Sequence, residues 1–126
     1  MSDDECDGRD SEVMQVRVAT RAASLAERLQ LVRGDRGRLM VAIAGAPGAG
    51  KSTLAAALAA VLSECGERAI VVPMDGFHFD DVVLQQRGHR SRKGAAFTFD
   101  CAGFEVLLKR IRQREDGIAI PVFDRQ

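Results

Sequence analysis

The chain is 126 residues long, 46% apolar and formally neutral at pH 7, with 18 basic residues against 18 acidic ones. That length and apolar share fit one globular domain with a real core and exclude a chain that is disordered throughout. Zero net charge removes the electrostatic case for nucleic acid or an anionic membrane as principal partner, and the scattered Cys6, Cys65 and Cys101 match neither a disulfide framework nor zinc-ligand spacing.

Residues 1–10 are acidic and polar, the opposite of a secretory leader, and read as a disordered tail ahead of a domain spanning 11–126. No run approaches the ~18 apolar residues of a membrane span, so a soluble, cytoplasmic protein is expected. From Ser11 to Arg33, the residues Met14, Val18, Ala22, Leu25, Leu29 and Val32 recur at steps of three and four, which predicts a helix that Gly34 can end. Leu39 to Ala44 is a short unalternating apolar run, the mark of a strand buried on both faces. Lys51 to Cys65 is helical again, with Leu54, Leu58, Val61, Leu62 and Cys65 on one side and Gly66 as its stop. Ala69 to Met74 reads as a second buried strand, completing a βαβ unit with parallel strands.

Residues 75–99 read as loop with a short helix near Val82–Gln86 and a basic cluster, Arg87, His89, Arg90, Arg92 and Lys93. By default that cluster is a solvated loop, and it is otherwise suited to an anionic substrate. Asp100 can cap a helix to about Arg114 whose Phe104, Leu107, Leu108 and Ile111 face inward, with Gly117 as its end and a third strand over 118–123.

The string Gly45-Ala46-Pro47-Gly48-Ala49-Gly50-Lys51-Ser52 fits the P-loop pattern G-x-x-x-x-G-K-[ST] and lies between a predicted strand and a predicted helix, as the mechanism requires. Glycines let the backbone curl until successive N–H groups point into one concavity, and the following helix adds its positive end to that anion site. Lys51 is expected at the β- and γ-phosphates of ATP, Ser52 at Mg²⁺, and Thr53 at a second phosphate contact.

Asp75 falls at the carboxyl end of the second predicted strand, where ligands of open α/β sheets bind and where a carboxylate can take the proton of an acceptor hydroxyl. Asp75-Gly76 between two apolar runs also reads as a hairpin turn, and the pattern alone leaves both open. The run Ile118–Phe123 ending in Asp124 can be read as a Walker B strand holding Mg²⁺, against which Pro121 argues because a central strand needs that N–H. His78 and His89 have no partner at ligand spacing and are assigned no metal.

Four separated segments, Gly45 to Thr53, then Val72-Pro73-Met74-Asp75-Gly76-Phe77-His78, then Lys93-Gly94 before Phe97-Thr98-Phe99-Asp100, then Pro121-Val122-Phe123-Asp124, resemble one family. It is the P-loop kinase group of uridine kinase, pantothenate kinase and phosphoribulokinase, and the M-D-G-F-H form is most similar to bacterial members described as nucleoside/nucleotide kinase-like or fructose transport system kinases. The resemblance covers about residues 38–126. It implies a three-layer α/β P-loop NTPase fold with a parallel sheet, and ATP and Mg²⁺ as the reagents.

The resemblance further implies Lys51 and Asp75 as catalytic residues, Asp75 being the base, with Gly45 through Thr53 holding nucleotide. Phe77 and His78 would border the acceptor pocket together with Asp124 and Arg125, and the Walker B reading recedes. The expected partner is a small hydroxyl-bearing acceptor, with no nucleic acid or membrane, and a homodimer is left open. The family continues with an acid-glycine strand end, a lid bearing arginines and an adenine-binding end. A chain stopping at Gln126 is therefore expected to be the N-terminal part of such a domain, binding phosphate with weak or no turnover. The rival expectations are a nucleotide hydrolase or switch, and a catalytically inactive nucleotide-binding fragment.

Overall fold

A computed structural model describes the backbone of residues 4–88, 91 and 98–122, with side chains from Gly8 onward. Four α-helices occur among these residues: α1 (Asp4–Arg33), α2 (Lys51–Glu64), α3 (Asp81–Gln86) and α4 (Cys101–Arg112), with a 3-10 turn at Met74–Phe77. The chain divides into two compact units, Met1–Val71 and Val72–Gln126.

In the first unit α1 packs on α2. Ala22, Ala26 and Leu58 form the buried centre, and Leu25, Leu29, Ile43, Leu54, Ala57, Val61 and Leu62 close around it. Two alanines on α1 let the axes approach closely, and the central part of the predicted apolar stripe is what they bury. The ends of that stripe are not covered, Met14 being 64% exposed and Val32 58%. Length accounts for this: a helix of 30 residues runs about 45 Å and one of 14 about 21 Å at 1.5 Å per residue. Helix α1 begins at Asp4 rather than Ser11, so the acidic start expected to be disordered is helical from that residue on.

Both helices end as glycine chemistry dictates. Gly34 (φ 51°) donates its N–H to Gln30 O at 3.1 Å, the left-handed cap of α1. Gly66 (φ 79°) follows α2, with Gly66 N–H on Ser63 O at 3.0 Å and Glu67 N–H on Leu62 O at 2.9 Å, a Schellman motif. Arg33 then pairs with Glu67 at 2.7 Å, tying the two caps together.

The second unit has α4 as its amphipathic element. Leu107 is buried, Phe104, Leu108 and Ile111 are half-buried, and Lys109 and Arg112 are exposed, as the periodicity predicts. Asp100 caps it, its Oδ1 accepting from Gly103 N–H at 2.9 Å. A Cβ on Gly103 would collide with that same carboxylate. Replacing Asp100 with alanine is expected to cost about 1 kcal/mol of stability, read as a lower midpoint in urea. The helix ends before Gly117. Arg114 takes the left-handed conformation (φ 59°) with Glu115 N–H on Arg110 O at 3.2 Å. The Arg110 guanidinium closes the motif on Glu115 through bonds of 2.9 and 2.7 Å, and those bonds hold the Glu115 carboxyl below its ordinary range.

The expected parallel sheet is not formed among the described residues, where the one β-contact is an antiparallel bridge between His78 and Phe99. The runs expected as strands are open to solvent at Val41, Ile70 and Val122; a strand needs its neighbours' N–H and C=O groups, and no such ladder is found for these runs among the described residues. No described helix is long and apolar enough to cross a membrane. Of the basic cluster, His89, Arg90, Arg92 and Lys93 lie outside the described residues, as do Gly94, Phe97, Phe123, Asp124 and Arg125.

Candidate functional site

In the first unit, Gly45 through Thr53 come together as one loop running into the first turn of α2. Gly48 (φ 75°) and Gly50 (φ 85°) both need left-handed backbone. Open space surrounds the position of a Cβ on either, so conformation rather than crowding selects glycine there. Ala49 N–H donates to Ala46 O at 3.1 Å to close the turn, and Leu54 N–H donates to Gly50 O at 3.0 Å as the first bond of the helix ladder. The N–H groups of Lys51, Ser52 and Thr53 precede that bond and have no acceptor within the helix, while Gly50 at the cap offers no side-chain oxygen.

Lys51 folds back over the loop. Its Nζ donates to Gly45 O at 2.7 Å and Ala46 O at 2.9 Å, and its Cγ and Cδ would lie 3.6 Å from a Cβ on Gly45. An ammonium is thereby held beside the amides that start α2, with the Ser52 and Thr53 hydroxyls exposed on the first turn. This donor set fits a triphosphate: main-chain N–H groups and one cation for its oxygens, a hydroxyl for a divalent ion.

In the second unit, Asp75, Phe77 and His78 form one turn rather than a hairpin. Met74–Phe77 is 3-10 helical, with His78 N–H on Asp75 O at 3.1 Å. The chain leaving the turn pairs with 98–100, not with the run before it. Phe79 N–H donates to Thr98 O at 2.9 Å and Asp100 N–H to Phe77 O at 2.6 Å. These bonds flank the His78/Phe99 pair and bring the two side chains close, the rings meeting edge-on at 4.7 Å. Phe77 packs on Phe104 of α4 at 5.2 Å between centroids, and the Arg87 guanidinium lies 4.7 Å over the Phe79 ring.

Gly76 lies against main chain. A Cβ there would overlap the Pro121 carbonyl oxygen and come within 2.7 Å of its carbon. Backbone cannot swing aside as a side chain can, so Gly76→Ala is expected to lower stability by about 1–3 kcal/mol, measured as a fall in melting temperature with nucleotide affinity unchanged.

Thr98, Phe99 and Pro121 stand in the segments that carry the resemblance, but sequence reasoning gave them no part in the site, and it is they that clamp this turn. A signal existed in the matching alternations Phe77-His78-Phe79 and Phe97-Thr98-Phe99, each a short period-2 run. Among the described residues no cluster of three metal-ligating side chains occurs.

The family model for the methylmalonyl Co-A mutase-associated GTPase MeaB matches residues 11–78, just over half of the chain. A Schizosaccharomyces pombe protein provisionally named uridine kinase is 38% identical over 96 residues, covering 69% of this chain and 40% of that protein. Pantothenate kinase of Yersinia enterocolitica is 32% identical over 92 residues, covering 71% and 29%. The crystal structure of a protein from Silicibacter sp. TM1040, provisionally named fructose transport system kinase, superposes with a TM-score of 0.74 at 47% identity, covering 82% of this chain and 51% of that one. The chain thus spans between 29% and 51% of the length of these three relatives. It belongs to the P-loop nucleotide-binding proteins matched by the MeaB model and, within them, to the P-loop kinase group that holds uridine kinase and pantothenate kinase.

Proposed function

We propose that the chain is the ATP-binding part of a small-molecule kinase that transfers the γ-phosphoryl group to a hydroxyl of a nucleoside, a pantothenate-like acid or a sugar. The N–H groups of Lys51 to Thr53 and the Lys51 ammonium bind the phosphate oxygens, exchanging the Gly45 and Ala46 carbonyls for charged acceptors. The Ser52 hydroxyl would hold Mg²⁺, which would supply countercharge to the phosphates. Asp75 orients the acceptor hydroxyl and takes its proton at a carboxylate oxygen as the new O–P bond forms and the bond between the γ-phosphorus and the bridging oxygen breaks, releasing ADP.

The observation that carries the kinase reading is the clamped turn. Phosphoryl transfer is mostly positioning, and Asp75 is followed directly by a main-chain contact at Gly76 and a 2.6 Å bond at Phe77. Support also comes from the kinase names of the relatives. A second reading, a nucleotide hydrolase or switch, has the GTPase family match behind it, which ends at residue 78 and leaves out the 98–121 part of the clamp. Nucleoside triphosphate consumption with and without a panel of nucleosides, pantothenate and sugars tests both. Turnover that needs an acceptor supports the kinase, and equal turnover without one supports the hydrolase.

A further inference from the structure

Thr98 is the one polar side chain fully buried among the described residues. It is separated by twenty positions from His78, yet its Oγ1 lies 3.5 Å from His78 Nε2, at the long end for such a bond. The other ring nitrogen settles the direction. His78 Nδ1 is 3.0 Å from Phe79 O, and a carbonyl oxygen can only accept, so Nδ1 carries the proton. In a neutral imidazole Nε2 is then an acceptor, and the Thr98 hydroxyl supplies the hydrogen. The main chain reinforces the match, since Phe79 N–H donates to the Thr98 carbonyl at 2.9 Å and the Phe99 ring stands edge-on to the imidazole.

We propose that Thr98 is a positioning residue: its buried hydroxyl holds the His78 imidazole in one orientation, as the Nδ1–H tautomer, beside the Asp75 turn. This role rests on reading that turn as the acceptor side of a kinase. Held at both nitrogens and against one ring, His78 serves there as a fixed wall of the acceptor side. A buried hydroxyl also resists casual replacement, because valine at 98 keeps the shape but leaves Nε2 without this donor.

The test uses the 126-residue chain labelled with ¹⁵N, with His89→Gln to assign the two histidines, and compares wild type, Thr98→Val and Thr98→Ser. At neutral pH the wild type is expected to show His78 with its proton on Nδ1, Thr98→Val to lose that single tautomer, and Thr98→Ser to keep it. In calorimetric titrations of the ATP-loaded chain with the nucleoside, pantothenate and sugar panel, Thr98→Val is expected to weaken the best-bound acceptor about tenfold, the weight of one hydrogen bond, leaving ATP affinity unchanged and recovering in Thr98→Ser. An unaltered tautomer in Thr98→Val overturns the proposal, as does a lost tautomer with an unmoved acceptor affinity. If the wild type shows the tautomer but takes up none of the panel, the acceptor-side reading of this turn fails, and the positioning role falls with it while the bond itself stands.

Discussion

Lys51→Ala is expected to weaken ATP binding by about a hundredfold or more, the largest single loss in the phosphate loop. The Lys51 ammonium donates to two loop carbonyls at 2.7 and 2.9 Å, and on nucleotide binding those neutral acceptors give way to phosphate oxygens. Charge-assisted bonds of that kind contribute roughly 1.5–3 kcal/mol each, so losing one or two accounts for the factor. Folding should survive, because the side chain lies over the loop and takes no part in the Ala22–Ala26–Leu58 core. Calorimetric titration of both proteins reads the ratio, and matched melting curves without nucleotide show that the fold is intact. A variant that binds as tightly as wild type would mean that the loop amides alone hold the phosphates.

Asp75→Asn is expected to leave ATP affinity within about twofold of wild type, Asp75 holding no phosphate in this account, and to slow acceptor-dependent turnover by about 10²–10⁴, the span of general-base contributions. The substitution keeps the side chain's shape and removes its ability to accept a proton. The 3-10 turn should persist, since it is fixed by the Phe77 and Phe79 main-chain bonds and by Gly76 against Pro121. Initial rates on the best acceptor, with nucleotide titrations in parallel, separate the two effects. A full rate in Asp75→Asn would remove Asp75 as the base.

What could be read from the sequence divides along the range of the forces involved. Helices α2 and α4 were legible because their signals are local: apolar residues at steps of three and four, Gly66 after the one and Asp100 before the other. The loop at 45–53 was legible for the same reason, since Gly48 and Gly50 are required by their own φ angles. The 3-10 turn at Asp75 was not, because hairpin and turn differ only in which partner Phe77–Phe79 finds, and that partner lies twenty residues on at Thr98–Asp100. The strands expected at 39–44, 69–74 and 118–123 depend still more on distant neighbours, and the described residues supply no ladder for them. Arg114 shows a third limit. Its left-handed cap comes three residues before the glycine chosen from the pattern, stabilised by an Arg110–Glu115 pair that a rule based on glycine alone passes over.

Isothermal titration of the folded 126-residue chain with ATP, in the presence and absence of Mg²⁺, tests most directly whether the amides of Lys51 to Thr53 and the Lys51 ammonium form a triphosphate site. Saturable binding at one site per chain, strengthened by Mg²⁺ and lost in Lys51→Ala, is the predicted result. A flat titration with ATP and with GTP on protein that melts cooperatively would contradict it.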